Sequence, residues 1–180
     1  FNAYSEQVGA MIEGGIDAIL IETIFNTVNA KVAIDASLSE MKKREINLPI
    51  MLSVTITALS DRTINGQTLN TFLASISSYP IFSVGLNCSY GAEQMRPYVK
   101  ELATKTPYYI SIHPNAGLPN SMGEYDETVD IMIPQIASFV NEGLVNIIGG
   151  CCGTTEEYIA DYTKIVEKKK PHLPIEVPKK

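Results

Sequence analysis

Tryptophan is absent from this chain of 180 residues, histidine occurs twice, and cysteine three times. No apolar run approaches the roughly 20 residues that a membrane-spanning helix needs. An odd number of cysteines argues against a disulfide scaffold. A secretory signal is lacking too, because Phe1-Asn2-Ala3-Tyr4-Ser5 enters a helical pattern at once. Both observations point to a reducing, cytoplasmic setting. Positive charge is in deficit, with 14 Lys and Arg against 20 Asp and Glu and a net charge of −6. Both signs are scattered, so no basic stripe is available for nucleic acid. Low-complexity blocks and near-identical repeats are missing. The first residue is not Met, and the chain reads as a piece of something longer.

What is present suits a globular α/β domain, with 45% hydrophobic and 19% charged residues. Five short apolar runs occur at residues 16–24, 49–56, 81–86, 108–112 and 145–148. They show no clean polar alternation, which predicts strands buried on both faces of a parallel sheet. Helical spacing separates them. It is carried by Ala30, Ile34, Leu38 and Met41, then by Leu69, Phe72, Leu73 and Ile76, then by Met95, Tyr98, Val99 and Leu102. Val129, Ile133, Ile136, Ala137 and Val140 make a fourth face, and Tyr158, Ile159, Tyr162, Ile165 and Val166 a fifth. Pro134 must sit in a first turn or kink its helix. Thr154 and Glu157 form a candidate capping box.

The alternation predicts five βα units after an opening helix at 4–13. Periodicity leaves two architectures open: a complete doubly wound sheet, or the last five units of an eight-unit barrel. The domain is expected over residues 1–167. Residues 168–180, rich in Lys and Pro, read as an extended linker, with His172 solvated.

The chemistry collects where parallel strands end. Cys88 follows the third apolar run, in Gly85-Leu86-Asn87-Cys88-Ser89. Asn115 follows the fourth, in His113-Pro114-Asn115-Ala116-Gly117. Cys151 and Cys152 follow the fifth, in Gly149-Gly150-Cys151-Cys152-Gly153-Thr154-Thr155, and Glu22 lies near the end of the first. Adjacent side chains on a strand point to opposite faces. Both thiols of the pair therefore reach one point only where the backbone leaves strand geometry, a freedom expected from Gly149, Gly150 and Gly153. Three thiolates favour zinc, and three protein ligands leave a fourth tetrahedral position open for chemistry. Taken alone, Cys88 reads as a small buried apolar residue. The glycine-flanked pair does not, because glycines there weaken packing. His113 reads equally as a capping or core residue and as a ligand or proton relay. Glu22, in an apolar strand, meets a cation or faces a solvated site.

These motifs resemble the homocysteine-binding barrel of the zinc-dependent homocysteine S-methyltransferases. Their order and separation fit over nearly the whole chain. The text around His113-Pro114-Asn115-Ala116-Gly117-Leu118-Pro119-Asn120, Gly123-Glu124-Tyr125-Asp126 and Ile21-Glu22-Thr23-Ile24 is most similar to the cobalamin-dependent methionine synthases. The resemblance implies a (β/α)8 TIM barrel of which this chain supplies strands four to eight. It implies zinc on Cys88, Cys151 and Cys152, with Asn115 as fourth ligand when substrate is absent. It implies substrate contacts from Glu22, which would hold the amino group, and from Asn87 and His113. It also implies methylcobalamin as methyl donor, held by another module and recharged from methyltetrahydrofolate at a third.

The family's first three βα units are missing here. The fragment is therefore expected to self-associate through its open strand edges and to be inactive in isolation. Two rival functions fit the same residues. One is a stand-alone betaine- or S-methylmethionine-dependent methyltransferase. The other is a non-catalytic thiol redox or metal-sensing domain.

Overall fold

The computed structural model describes residues 1–57 and 61–176. Helix α1 (Asn2–Glu13) leads into β1 (Ile19–Ile24), α2 (Thr27–Lys43), β2 (Ile50–Val54), α3 (Leu69–Ile76) and β3 (Ser83–Asn87). Then come α4 (Ala92–Lys105), β4 (Tyr109–His113), α5 (Val129–Asn141), β5 (Ile147–Ile148) and α6 (Glu156–Val166). Among the described residues no helix is long and apolar enough to cross a membrane.

The strands form one sheet in the order β1-β2-β3-β4-β5, each parallel to the next. A doubly wound sheet reverses its strand order at a switch point, and this sheet has none. Right-handed crossovers then carry every connecting helix to the same face. That is the winding of a barrel wall, and it decides between the two architectures that periodicity leaves open.

Register separates the two faces. Ile21, Leu52, Val84 and Ile110 form one row, and Ile24, Val54, Leu86, Ile112 and Ile148 another. Against these convex rows pack the buried sides of the helices, including Ile34 and Met41 of α2, Met95, Val99 and Leu102 of α4, and Met132, Ile136 and Phe139 of α5. Each large side chain removed from water contributes about 1.5–3 kcal/mol. The other face carries the row Ser53, Gly85, Ser111, Ile147 and, above it, Asn87 beside His113. The strands thus do alternate, contrary to the sequence expectation. The alternation is between large apolar residues and small or polar ones, and glycine and serine among isoleucines do not break an apolar run.

Two local expectations change, and a third, the placing of Pro134, is narrowed to the helix interior. Pro134 lies inside α5 beyond its first turn, as Pro97 does in α4. Each removes one intrahelical hydrogen bond, and packing of the apolar face carries the helix through it. The capping box does not form, because Thr155 is the N-cap residue of α6 and makes no side-chain cap bond. Thr154 instead turns its hydroxyl to the Cys151 carbonyl, 2.7 Å away.

His172, expected to be solvated, is buried with 8% exposure. Its N–H donates to the Val145 carbonyl at 3.2 Å, and its carbonyl accepts from Asn146 Nδ2 at 2.8 Å. Its Nδ1 lies 3.0 Å from the Gly143 carbonyl. The backbone entering β5 offers unpaired polar groups, and the extended tail supplies their partners. The tail's last four residues, Pro178 among them, lie outside the described residues.

Gly85 is required for space where β3 packs beside β4. A Cβ placed there would lie 2.0 Å from the Ser111 carbonyl oxygen and 2.1 Å from its Oγ. Backbone cannot yield as a flexible side-chain tip does. Gly85→Ala is expected to destabilise the fold by at least about 1–3 kcal/mol, read as a lower urea midpoint at unchanged slope.

Candidate metal centre

Cys88 leaves the end of β3 in a left-handed conformation, φ 61°, continued by Ser89 at 62°. Two backbone bonds hold this turn against β4. The Cys88 N–H donates to the His113 carbonyl at 3.2 Å, and the Asn115 N–H to the Tyr90 carbonyl at 2.9 Å. The double-cysteine arm leaves β5 and stays tied to the loop after β4. Cys151 N–H donates to the Pro114 carbonyl at 2.8 Å, and Ala116 N–H to the Cys152 carbonyl at 2.9 Å. The backbone turns directly after Cys151, with Thr154 N–H reaching back to its carbonyl at 3.2 Å. That turn brings the second thiol to the same side as the first.

The flanking glycines serve two different needs. Only Gly153 has a positive φ, 79°. Gly149 and Gly150 are required for space, since a Cβ would lie 2.4 Å from His113 Cδ2 at the first and 2.2 Å from Thr154 Oγ1 at the second.

The three sulfurs converge. Cys88 Sγ lies 3.7 Å from Cys152 Sγ, and Cys151 Sγ lies 4.0 Å from Cys152 Sγ. All three sulfurs lie within 4.8 Å of one another. Sulfurs about 2.3 Å from a tetrahedral zinc stand about 3.8 Å apart, so the separations match the donor set. The thiols differ in environment. Burial, then the nearby Cys88, pushes the Cys151 thiol up to about 11. Burial also works against ionising Cys152, but hydrogen bonds from Tyr125, Cys88 and Cys151 outweigh it and hold that thiol below its ordinary value.

The family model for homocysteine S-methyltransferase matches residues 1–166. The chain belongs to the homocysteine S-methyltransferase family. Its fold is similar to the homocysteine methyltransferase MmuM from Escherichia coli, in apo and metallated forms, with a TM-score of 0.64 and 22% identity to each. The match covers 91% of this chain, and 56% and 51% of the two MmuM chains. The chain therefore spans about half the length of these structures, and its sheet is part of a TIM-barrel-like wall.

Around the thiols of this family member, the other residues singled out from sequence occupy distinct places. Asn115 is buried, and its Oδ1 accepts from the Cys152 N–H at 3.1 Å. In this structure it holds the double-cysteine backbone. His113 is half-buried on the concave face, and burial lowers its pKa while Glu22 pulls it back up. Its Nδ1 has no hydrogen-bond partner among the described residues. Glu22 is exposed on the edge strand β1. Asn87 is buried beneath the thiols, with its Nδ2 3.9 Å from Cys151 Sγ. A cavity of about 540 Å³ lined by Leu73, Tyr79 and Tyr108 lies toward the opposite ends of the strands and takes no part in this centre.

Sequence reasoning gave no role to Tyr125 or Thr23. Tyr125 hydrogen-bonds Cys152, which together with burial raises the phenol's pKa. It reaches the thiol because its loop folds back. Pro119 bridges Tyr125, Asn120 Oδ1 accepts from Met122 and Glu124 N–H at 2.9 and 3.0 Å, and Gly117 and Gly123 take φ values of 87° and 82°. The glycines and Asn120 mark a turn in the sequence, but nothing local says what the turn delivers.

Cys152 is the exposed thiol of the three. In metal-free protein it is expected to alkylate before Cys151, by iodoacetamide labelling and peptide mapping. Tyr125→Phe removes a bond that favours the thiolate, so the Cys152 pKa rises and its alkylation near neutral pH slows. An unchanged labelling order and rate in the variant would show that Tyr125 does not act on this sulfur.

Proposed function

We propose that this chain carries the thiol-activating half of a methionine-forming methyl transfer, as part of a cobalamin-dependent methionine synthase. Zinc is the proposed metal, with homocysteine as methyl acceptor and methylcobalamin as donor. The observation that carries the reading is the convergence of three cysteine sulfurs at strand ends in a chain of the homocysteine S-methyltransferase family.

Cys88, Cys151 and Cys152 would hold the metal, leaving one tetrahedral position for the substrate sulfur. When bound, zinc lowers the pKa of a coordinated thiol and holds it as thiolate near neutral pH. The protein's own thiolates already exceed the metal's charge by one in formal count. Their excess keeps the neighbouring substrate sulfur electron-rich. Asn115 would contribute its side-chain oxygen in the absence of substrate, exchanging its present bond to the Cys152 N–H. Glu22 would hold the substrate ammonium, and His113, half-buried on the same concave face, would border the substrate chain. The chemical step is a displacement at carbon. A sulfur lone pair forms the new S–CH3 bond as the donor–CH3 bond breaks, its electron pair leaving with the donor. The product thioether carries no charge and is a weaker ligand than the thiolate.

The text at residues 113–120 and 123–126 supports cobalamin as the donor's carrier. The corrin and methyltetrahydrofolate modules would lie elsewhere in the parent protein, in the cytoplasm. On this reading the separate chain binds metal and lacks turnover.

The native protein is expected to bind about one zinc and, with it, homocysteine. Cys152→Ala abolishes the zinc-dependent binding. Calorimetry on loaded, metal-stripped and variant protein tests this, and full-affinity homocysteine binding without metal would sink the reading. Methyl transfer by the parent protein, offered methylcobalamin, betaine or S-methylmethionine in turn, identifies the donor.

A further inference from the structure

The side chain of Asn87 has no hydrogen-bonding capacity left for a ligand. It is buried with 1% exposure. Its Oδ1 accepts from Thr23 N–H at 3.0 Å and from Ser53 Oγ at 2.8 Å. Its Nδ2 donates to Thr23 Oγ1 at 2.9 Å and faces Cys151 Sγ at 3.9 Å. Only the oxygen can meet the Thr23 N–H, which fixes the amide's orientation and turns its remaining proton to the sulfur.

What Asn87 grips is unusual on both sides. Thr23 has φ 56°, a left-handed conformation that a β-branched residue strongly disfavours. The β1–β2 register shifts between Ile21 and Ile24, so Glu22 and Thr23 form an irregularity in the edge strand. Such bulges re-aim a side chain. The clasp comes from β3, two strands away, and passes over β2 at Ser53, where a small residue leaves room. Its other end meets a cysteine of the metal centre.

We infer that Asn87 is a positioning residue for both halves of the site: it locks the Thr23 bulge that directs Glu22, and it donates to the Cys151 sulfur. The Glu22 arm rests on the substrate reading above, and the sulfur arm does not. An N–H···S bond draws charge from a thiolate, so its loss alters the metal–sulfur bond as well as the fit.

The test uses the full chain, with cobalt(II) as the spectroscopic metal. Its readouts are the sulfur-to-cobalt charge-transfer band, and calorimetry with homocysteine and its amino-less analogue. Asn87→Ala is expected to lower cobalt affinity about 10–100-fold, to shift the band, and to erase homocysteine's advantage over the analogue. Asn87→Asp keeps the acceptor bonds to Thr23 N–H and Ser53, can accept from the Thr23 hydroxyl in place of donating to it, and loses the donor to Cys151. It shifts the band but preserves the advantage, and it carries the test if the alanine variant does not fold. A merely structural role weakens metal binding without moving the band of the loaded protein. An unshifted band in the aspartate variant, or a full homocysteine advantage in the alanine variant, overturns the inference. Native protein that binds cobalt but not homocysteine overturns the substrate reading instead, and the band in the aspartate variant then decides the inference alone.

Discussion

The tight contact between Gly85 and Ser111 is the constraint on which the site depends. Strands β3 and β5 are not neighbours, and two strand spacings amount to about 9.6 Å. Yet Cys88, after β3, and Cys152, after β5, bring their sulfurs to 3.7 Å. The chains that leave the strands cover the gap, because the double-cysteine arm beyond β5 is tied over the end of β4 by Cys151 N–H to Pro114 and Ala116 N–H to Cys152. Curvature of the wall toward its small-residue face shortens the remaining distance. Asn87 and Thr23 join β3 to β1 across β2 by the same geometry.

The two faces divide the work. Apolar rows on the convex side, packed against α2, α4 and α5, supply the burial that holds the wall together. The concave side gives up that stabilisation. It buries Ser83 and Ser111 hydroxyls that have no partner among the described residues, a cost of about 1–3 kcal/mol for each unsatisfied group. Positive φ values at Thr23, Cys88 and Ser89 add local strain at the same rim. The left-handed residues of β1 and the β3 end thus lie at the rim where the thiols gather, polar burial runs along the concave face below them, and the apolar face compensates for both.

Much of the fold was legible because large apolar residues mark strands and helix faces without ambiguity. All five apolar runs mark strands, with β3 and β4 each reaching one residue further, and the helical spacings coincide with α2 to α6. Position at the strand ends was legible too, since Cys88, Asn115 and Cys151-Cys152 each directly follow such a run. The alternation of the strands was not, because serine and glycine hide among isoleucines. The burial of His172 was not, because a charged Lys-Pro stretch carries no sign of the backbone edge awaiting it at β5. Tyr125 was missed for a like reason: its distance from Cys152 depends on how a loop folds back, which no spacing along the chain records.

The sequence by itself determined the strands, the apolar faces of the helices and the identity of the three clustered cysteines, all properties of residue type and short spacing. Tertiary structure alone decided that the units wind one way into a wall, that thiols from non-adjacent strands meet, and that Asn87 faces inward to grip Thr23 and Cys151. Those outcomes depend on strand order and curvature. Both show in contacts between residues 26 to 64 positions apart, such as Gly85 with Ser111 and Cys88 with Cys152, which exist only once the strands have assembled in this order.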